Sequence, residues 1–382
     1  MDFNNGVQKN VASLIIQKMN RTNIYQLLRR EAAGLTKQDI VQRLGLSLPT
    51  ITNNLSELRE EGLVTENGVA THTGGRRAKT WSFTRDARAA IGLDITGGYV
   101  IAAAIDLAGN VVNHTRMDIE FQMNSAYYQK LGELVRTVIK SAGLDDKHIL
   151  GVGIGVPGLV TGDMETVFYG EILKFTGASR EEFSQYIPFR TALFNDASAA
   201  GLGEFWIRNN IGNMFYISLS NNVGGALMIE NKIIYGANYH AAEIGHLTLH
   251  PGGELCYCGQ RGCAETYLAA STLTRACGGS LADFFKLLEQ GAKDALAAWN
   301  IYLDNLALAV NNVQELFDCT VILGGYITEY INPHLPELKR RAGALNSFEH
   351  GNAAYIDICR YKTLSIAAGA ALYYICEFTN NV

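Results

Sequence analysis

The chain has 382 residues, 48% of them hydrophobic and 18% charged, with a formal net charge of −5. This is the composition of an ordinary globular protein with material for two or three domains, and no apolar run approaches the roughly 20 residues needed to span a bilayer. The opening Met1-Asp2-Phe3-Asn4-Asn5 lacks the pattern of a signal peptide, and seven cysteines, an odd number, do not suit a secreted disulfide framework. A cytoplasmic protein without membrane contact is expected.

The charge is uneven. Residues 1–88 carry 13 Lys/Arg against 8 Asp/Glu, or +5, while the remainder carries −10. A basic head on an acidic body suggests that the head meets a polyanion. Within the head, Asn20 to Ala33 reads as a helix with Ile24, Leu27 and Leu28 on one stripe, ended by Gly34. Thr36-Lys-Gln-Asp39 has the form of a capping box and starts a short helix with Ile40, Val41 and Leu44 on one face. Gly45-Leu46-Ser47 turns the chain, and Ser47 caps a third helix with Pro49 in its first turn. Leu48, Ile51, Leu55 and Leu58 form its apolar stripe, which leaves Thr50, Thr52, Asn53 and Ser56 on the other faces. Two short helices joined by a Gly-containing turn make a helix-turn-helix, whose second helix offers small polar residues where base edges and phosphates are met. A hairpin follows, with Arg76 and Arg77 at its glycine-flanked tip, suited to phosphate or minor-groove contact. A small helical interaction module with merely solvated arginines is the alternative.

From Ala89 the chain reads as an α/β body. Ala90–Asp94 is a strand ending in an acid, Ile95–Gly98 a turn, and Tyr99–Ile105 a second strand. The shape returns at Phe215–Leu219, the turn Ser220–Gly225, and Ala226–Glu230, a faint duplication that suggests two similar lobes. Between them lie a helix (Tyr128–Ala142), a buried strand (Ile149–Val156) and the rigid turn Gly155-Val-Pro157-Gly158. A strand, Thr191–Phe194, then delivers Asn195-Asp196 to a helix running from Ala197 to Trp206. Phe284 to Ala309 is mostly helical, Thr320–Leu323 is a strand, and a final helix opens at Ala367.

One short region concentrates metal-ligand chemistry. Glu243-Ile-Gly-His246 and Cys256-Tyr-Cys258-Gly259-Gln-Arg-Gly262-Cys263-Ala-Glu265 put three cysteines and a histidine into little more than twenty residues. Thiolates two residues apart, closed by a third and joined by an imidazole, complete the set of three sulfurs and one nitrogen that zinc accepts. His246, Cys256, Cys258 and Cys263 would fill all four positions, so a structural Zn2+ is expected instead of a hydrolytic one. Free or disulfide-bonded cysteines are the alternative.

These motifs resemble the ROK family (repressors, open reading frames and sugar kinases) over nearly the whole chain. The Cys-x-Cys-Gly-x-x-Gly-Cys-x-Glu signature stands intact from Cys256 to Glu265, with Glu-x-Gly-His at Glu243 to His246, Gly-x-Pro-Gly at Gly155 to Gly158 and Asn-Asp-Ala at Asn195 to Ala197. The basic head is similar to that of the family's transcriptional members, the xylose and N-acetylglucosamine repressors. The resemblance implies a winged helix-turn-helix domain over residues 1–88 and, over 89–382, a two-lobed actin-like ATPase fold with a zinc loop at 243–265. It implies that Asn195, Asp196, Glu243, His246 and Glu265 contact sugar hydroxyls. His246 would ligate zinc through one ring nitrogen and offer its other N–H to a sugar oxygen.

Sugar kinases of the family carry Asp-x-Gly-Gly-Thr at the first hairpin, where this chain has Asp94-Ile95-Thr96-Gly97-Gly98. Their second loop, Gly-Thr-Gly-x-Gly-Gly-Gly, is here Ser220-Asn221-Asn222-Val223-Gly224-Gly225-Ala226. Phosphoryl transfer needs backbone N–H groups that approach phosphate closely, so these changes predict no useful ATP binding and no catalytic residue. The expected protein is a sugar-responsive repressor of carbohydrate (for example xylose) utilisation genes, a homodimer or tetramer whose recognition helices meet operator DNA roughly 34–36 Å apart. A sugar kinase with a fused DNA-binding head is the runner-up, and a zinc-stabilised interaction protein the third reading. The stretch Tyr169–Tyr186 fits the family pattern poorly, and the monosaccharide is not named by the sequence.

Overall fold

The computed structural model describes residues 3–31, 33–69, 79–208, 211–348, 351 and 353–382. Helix α1 (Phe3–Arg30) is 28 residues long and starts well before the expected Asn20. Between Gly6 and Asn20 no residue breaks a helix, and Val7, Val11, Ile15 and Met19 recur every four positions. Strand β1 (Leu35–Thr36) leads into α2 (Lys37–Leu44), where the Thr36–Asp39 capping box forms as expected. Gly45 ends α2 in the left-handed region (φ 66°), which side chains with a Cβ rarely adopt. Ser47 then caps α3 (Leu48–Glu60) by accepting the Thr50 N–H. Ile51, Leu55 and Leu58 are buried, whereas Leu48 is 49% exposed. Standing first in the helix, before its first full turn, Leu48 is not part of the buried stripe. Strands β2 (Val64–Val69) and β3 (Lys79–Phe83) complete a sheet of order β1-β3-β2 around the buried Trp81. Arg76 and Arg77, expected at the tip of this hairpin, lie outside the described residues.

The body contains the duplication in full. In the first lobe, β4 (Ala89–Ile95), β5 (Tyr99–Asp106) and β6 (Val111–Asp118) form an antiparallel meander. After helix α4 (Ser125–Ser141) come β7 (Ile149–Val156), the small hairpin β8 (Leu159–Val160) and β9 (Val167–Tyr169), helix α5 (Arg180–Ser184) and β10 (Thr191–Asn195). Strands β7 and β10 add in parallel, giving the order β10-β7-β4-β5-β6. Helix α6 (Asp196–Ile207) crosses to the second lobe, whose meander is β11 (Met214–Leu219), β12 (Val223–Ile229) and β13 (Lys232–Ile233). Helices α7 (Glu265–Leu268), α8 (Ala270–Cys277), α9 (Leu281–Glu289) and α10 (Lys293–Phe317) follow. The stretch expected to be mostly helical, Phe284 to Ala309, is covered by these last two helices, which part at Gly291 with φ 74°. Strand β14 (Thr320–Gly324), helices α11 (Thr328–Ile331) and α12 (Leu335–Leu345), and β15 (Ile356–Ile358) complete a second sheet of order β13-β12-β11-β14-β15, the same topology as the first.

The last helix, α13 (Ser365–Thr379), returns to the first sheet. Its backbone approaches so closely that a Cβ at Gly92 would lie 1.7 Å from the Ala367 carbonyl oxygen, and one at Gly153 2.1 Å from that of Ala370. Its far end meets the head: Ile24, Leu28 and Trp81 share one apolar core with Ala371, Ile375 and Val382. Gln26 Nε2 donates to the Thr379 carbonyl at 2.7 Å and Thr22 Oγ1 to that of Val382 at 2.6 Å. Among the described residues no helix is long and apolar enough to cross a membrane.

Candidate functional site

The two lobes face each other across a cavity of about 320 Å³, within the range of small-molecule pockets. Asn195 ends β10 and caps α6, its Oδ1 accepting the Ser198 N–H at 2.9 Å and its Nδ2 donating to the Gly158 carbonyl at 3.2 Å. Asp196, the first residue of α6, accepts the Ala197 N–H on Oδ1 at 2.8 Å. Among the described residues its Oδ2 has no partner, and neither does the Glu243 carboxylate on the opposite wall. Burial pushes the Asp196 carboxyl up to about 6. Burial, then the negative charges of Asp196 and Glu265, push Glu243 up to about 7. Two acceptor-rich carboxyls short of hydrogen-bond donors face the same space, an arrangement that a polyhydroxylated ligand would satisfy from both sides.

His246 and Cys258 form another part of the wall. Ligand atoms of His246, Cys256, Cys258 and Cys263 all lie within 4.8 Å of one another and could hold a metal ion. Cys256 Sγ is 3.9 Å from His246 Nδ1, and Cys258 Sγ is 3.8 Å from Cys263 Sγ. The backbone closes around them because Gly262 has φ +82°, and a Cβ there would strike the His250 carbonyl oxygen at 1.7 Å. The other ring nitrogen, His246 Nε2, is 3.2 Å from the Tyr257 hydroxyl, so a protein group stands where a sugar oxygen was expected.

Glu265 is placed differently from expectation. It is buried behind the cavity, where its carboxylate accepts the Val223 N–H at 2.6 Å and the Asn222 amide at 3.0 Å. It fixes the loop 220–225 and leaves Asn222, Val223 and Gly224 to line the space. A separate cavity of about 460 Å³ lies elsewhere, beside Asp94, Ser220 and Asn221. Here the Thr96 hydroxyl takes the N–H groups of Gly98 and Tyr99, and the Tyr326 hydroxyl is bonded to Asn221 Oδ1.

On the head, Ser47, Pro49 and Asn53 are exposed and Thr50, Thr52 and Ser56 half-buried, so the first two turns of α3 offer one polar surface. Ser47 Oγ is 2.8 Å from Thr50 Oγ1, which engages both in the cap. The arrangement is that of a recognition helix presented by its N-terminal residues.

Residues 90–354 match the ROK family. The chain belongs to that family. Residues 20–65 match winged helix-turn-helix DNA-binding domains. The xylose repressor of Caldicellulosiruptor bescii is 28% identical over 269 residues, which span 69% of this chain and 66% of that repressor. The crystal structure of a ROK family transcriptional regulator, a homologue of the E. coli MLC protein, superposes with a TM-score of 0.74 at 21% identity, covering 96% of this chain and 97% of the other. A ROK family glucokinase from Streptomyces griseus, solved with glucose and AMPPNP, superposes at 0.65 and 21% identity, covering 75% of this chain and 98% of that one. The winged head followed by an actin-like ATPase fold is therefore the architecture of this chain.

Within the ROK body the structure brings together Asn195, Asp196, Glu243 and His246, drawn from two lobes and more than fifty residues of sequence. It adds Tyr169, Glu171, Ile172, His240 and Tyr257, which sequence reasoning did not select. Tyr257 stood between two candidate ligands, and Tyr169 opens the stretch that departs from the ROK pattern. Those two signals could have found both tyrosines, whereas nothing in the sequence marked His240.

Proposed function

We propose that this ROK chain is a sugar-responsive DNA-binding repressor of carbohydrate-utilisation genes, acting in the cytoplasm as a homodimer. A winged head and a ROK body share one chain and one apolar core, and this observation carries the reading. The head would sit on operator DNA through Ser47, Pro49, Thr50, Thr52, Asn53 and Ser56, with Arg76 and Arg77 on the backbone. A monosaccharide, xylose among the first to test given the relatives' names, would fill the first cavity against Asn195, Asp196 and Glu243. His246 would bound it, and Glu265 would act through the loop it holds.

The four-residue cluster suits zinc. A tetrahedral ion with Zn–S bonds of about 2.3 Å sets its sulfurs roughly 3.8 Å apart, and the Cys258–Cys263 separation is 3.8 Å. With all four positions supplied by the chain, the metal would stiffen the loop carrying His246 and Tyr257.

The nucleotide end of the cleft argues against phosphoryl transfer. A phosphate needs free N–H donors, whereas those of Gly98 and Tyr99 already face the Thr96 hydroxyl. Asp94, the acid of the kinases' first hairpin motif, is kept, but a carboxylate alone makes no phosphate site. Fluorescence anisotropy on operator fragments, titrated with a monosaccharide panel, tests the proposal: one sugar should change operator affinity severalfold. Equal affinity with every sugar, together with ADP release in a coupled kinase assay, would favour the kinase instead.

A further inference from the structure

Beyond the sugar cavity lies a second pocket of about 200 Å³ that no role above uses. It adjoins the first across a shared wall of Leu159, Asn195 and Glu243. The linings differ. The first cavity mixes carboxylates and amides with Tyr169, Ile172 and Tyr257, whereas the second is walled largely by Phe194, Tyr235, Tyr239, Tyr373, Met164 and Ile234.

The aromatic residues form a cluster of mutually tilted rings, 53° between Tyr235 and Tyr239, either of which offers a face as a platform for one further ring. Tyr235 and Tyr239 are 42% and 39% exposed, with ring centroids 6.2 Å apart. Tyr239 also neighbours Phe168 at 6.4 Å, and Phe168 stacks on His240 at 5.8 Å. Tyr373 and Phe194 pack together behind them at 5.0 Å. The loop carrying Tyr235 to Glu243 holds Tyr239 at φ 58° and Ala242 at φ 63°, a conformation that costs about 1 kcal/mol or more per residue and persists where the surroundings enforce it. Gly162 permits the position of Tyr239, since a Cβ there would lie 2.0 Å from the tyrosine hydroxyl oxygen.

Large exposed rings beside a polar cavity fit a ligand with two unlike ends. The C–H faces of a pyranose stack on aromatic rings, and an aryl group does so equally. A free monosaccharide filling the first cavity would leave this platform wet. Glu243, on the shared wall, has no protein hydrogen bond among the described residues and stands where hydroxyls of either ring would meet it.

We propose that the effector is a glycoside: a sugar ring in the first cavity joined to a second ring, either a further sugar unit or an aryl aglycone, lying on Tyr235 and Tyr239. This rests on the sugar-sensing reading above and names its ligand class. Calorimetric titration of the full chain with glucose, xylose and N-acetylglucosamine, each beside its β-linked disaccharide and its phenyl glycoside, tests it. At least one glycoside should bind about tenfold tighter than its parent monosaccharide, the gain expected of one good ring stack. The disaccharide and phenyl arms separate the two sources of the second ring. The double variant Tyr235→Ala/Tyr239→Ala should lose that gain and keep the parent affinity. Both rings are exposed, and an unchanged melting temperature without ligand would establish that the variant folds. A monosaccharide that binds as tightly as all its glycosides overturns the inference and leaves sugar sensing standing, as does a variant that weakens both ligands equally. If no member of the panel binds, both readings fall.

Discussion

The guanidinium of Arg29, on the first helix of the DNA-binding head, lies over the ring of Trp206 at 4.7 Å from its centroid. Trp206 is near the end of α6, and the other end of α6 carries Asn195 and Asp196 in the first cavity. One rigid helix, about 18 Å long, thus has a candidate ligand contact at one end and a head contact at the other.

Replacing Trp206 by Ala should therefore uncouple the two. Operator affinity without sugar should change little, while the sugar-induced change, typically 1–3 kcal/mol in two-site switches, should shrink by half or more. Anisotropy titrations with and without saturating sugar measure both quantities. A full sugar response in the variant would exclude this path.

The metal cluster makes a second prediction. Cys258→Ser should remove bound zinc, measured as metal per chain by atomic emission. It should also lower the melting temperature by on the order of 5 °C or more and abolish the stabilisation given by the sugar. A metal-free variant with undiminished sugar affinity would separate the loop from the cavity that His246 and Cys258 line.

Asp196 sets a pH dependence. Its carboxyl is pushed up to about 6 by burial, so between about pH 4 and 6 the folded chain keeps a proton that the unfolded chain has lost. The folded state binds more protons there, and this group's contribution to stability falls as pH rises. Asp196→Asn should accordingly match the wild type near pH 4 and exceed it by about 1–2 kcal/mol near pH 8, while losing sugar binding. Denaturant melts at the two pH values decide it, and an equal offset at both would assign the effect to something other than ionisation.

On the head, Asn53→Ala should weaken specific operator binding by about 1–3 kcal/mol without altering its salt dependence. Arg76→Ala/Arg77→Ala should lower affinity for all sequences and flatten the log–log salt slope by about 2. Binding isotherms at three salt concentrations distinguish base contact from phosphate contact.

What could be read from the sequence was local. The Thr36–Asp39 box, the Ser47 cap and the cysteine cluster are each specified within a few residues, and the structure forms all three geometries. The repeated Gly-turned hairpins likewise announced two lobes of one topology. The first half of α1 escaped because its apolar residues, Val7, Val11, Leu14, Ile15, Ile16 and Met19, are spread around the helix and make no single stripe. The clamp that Glu265 places on Val223, and the packing of Tyr373 on Phe194, depend on segments brought together only by folding. No spacing in the chain encodes them.

Gln26 and Thr379, hydrogen-bonded across the seam between α1 and α13, are 353 residues apart in sequence. Synthesis at about 5–20 residues per second separates their emergence from the ribosome by on the order of 20–70 s. For that interval the head stands without the α13 surface on which it rests in the finished chain, and the seam closes last.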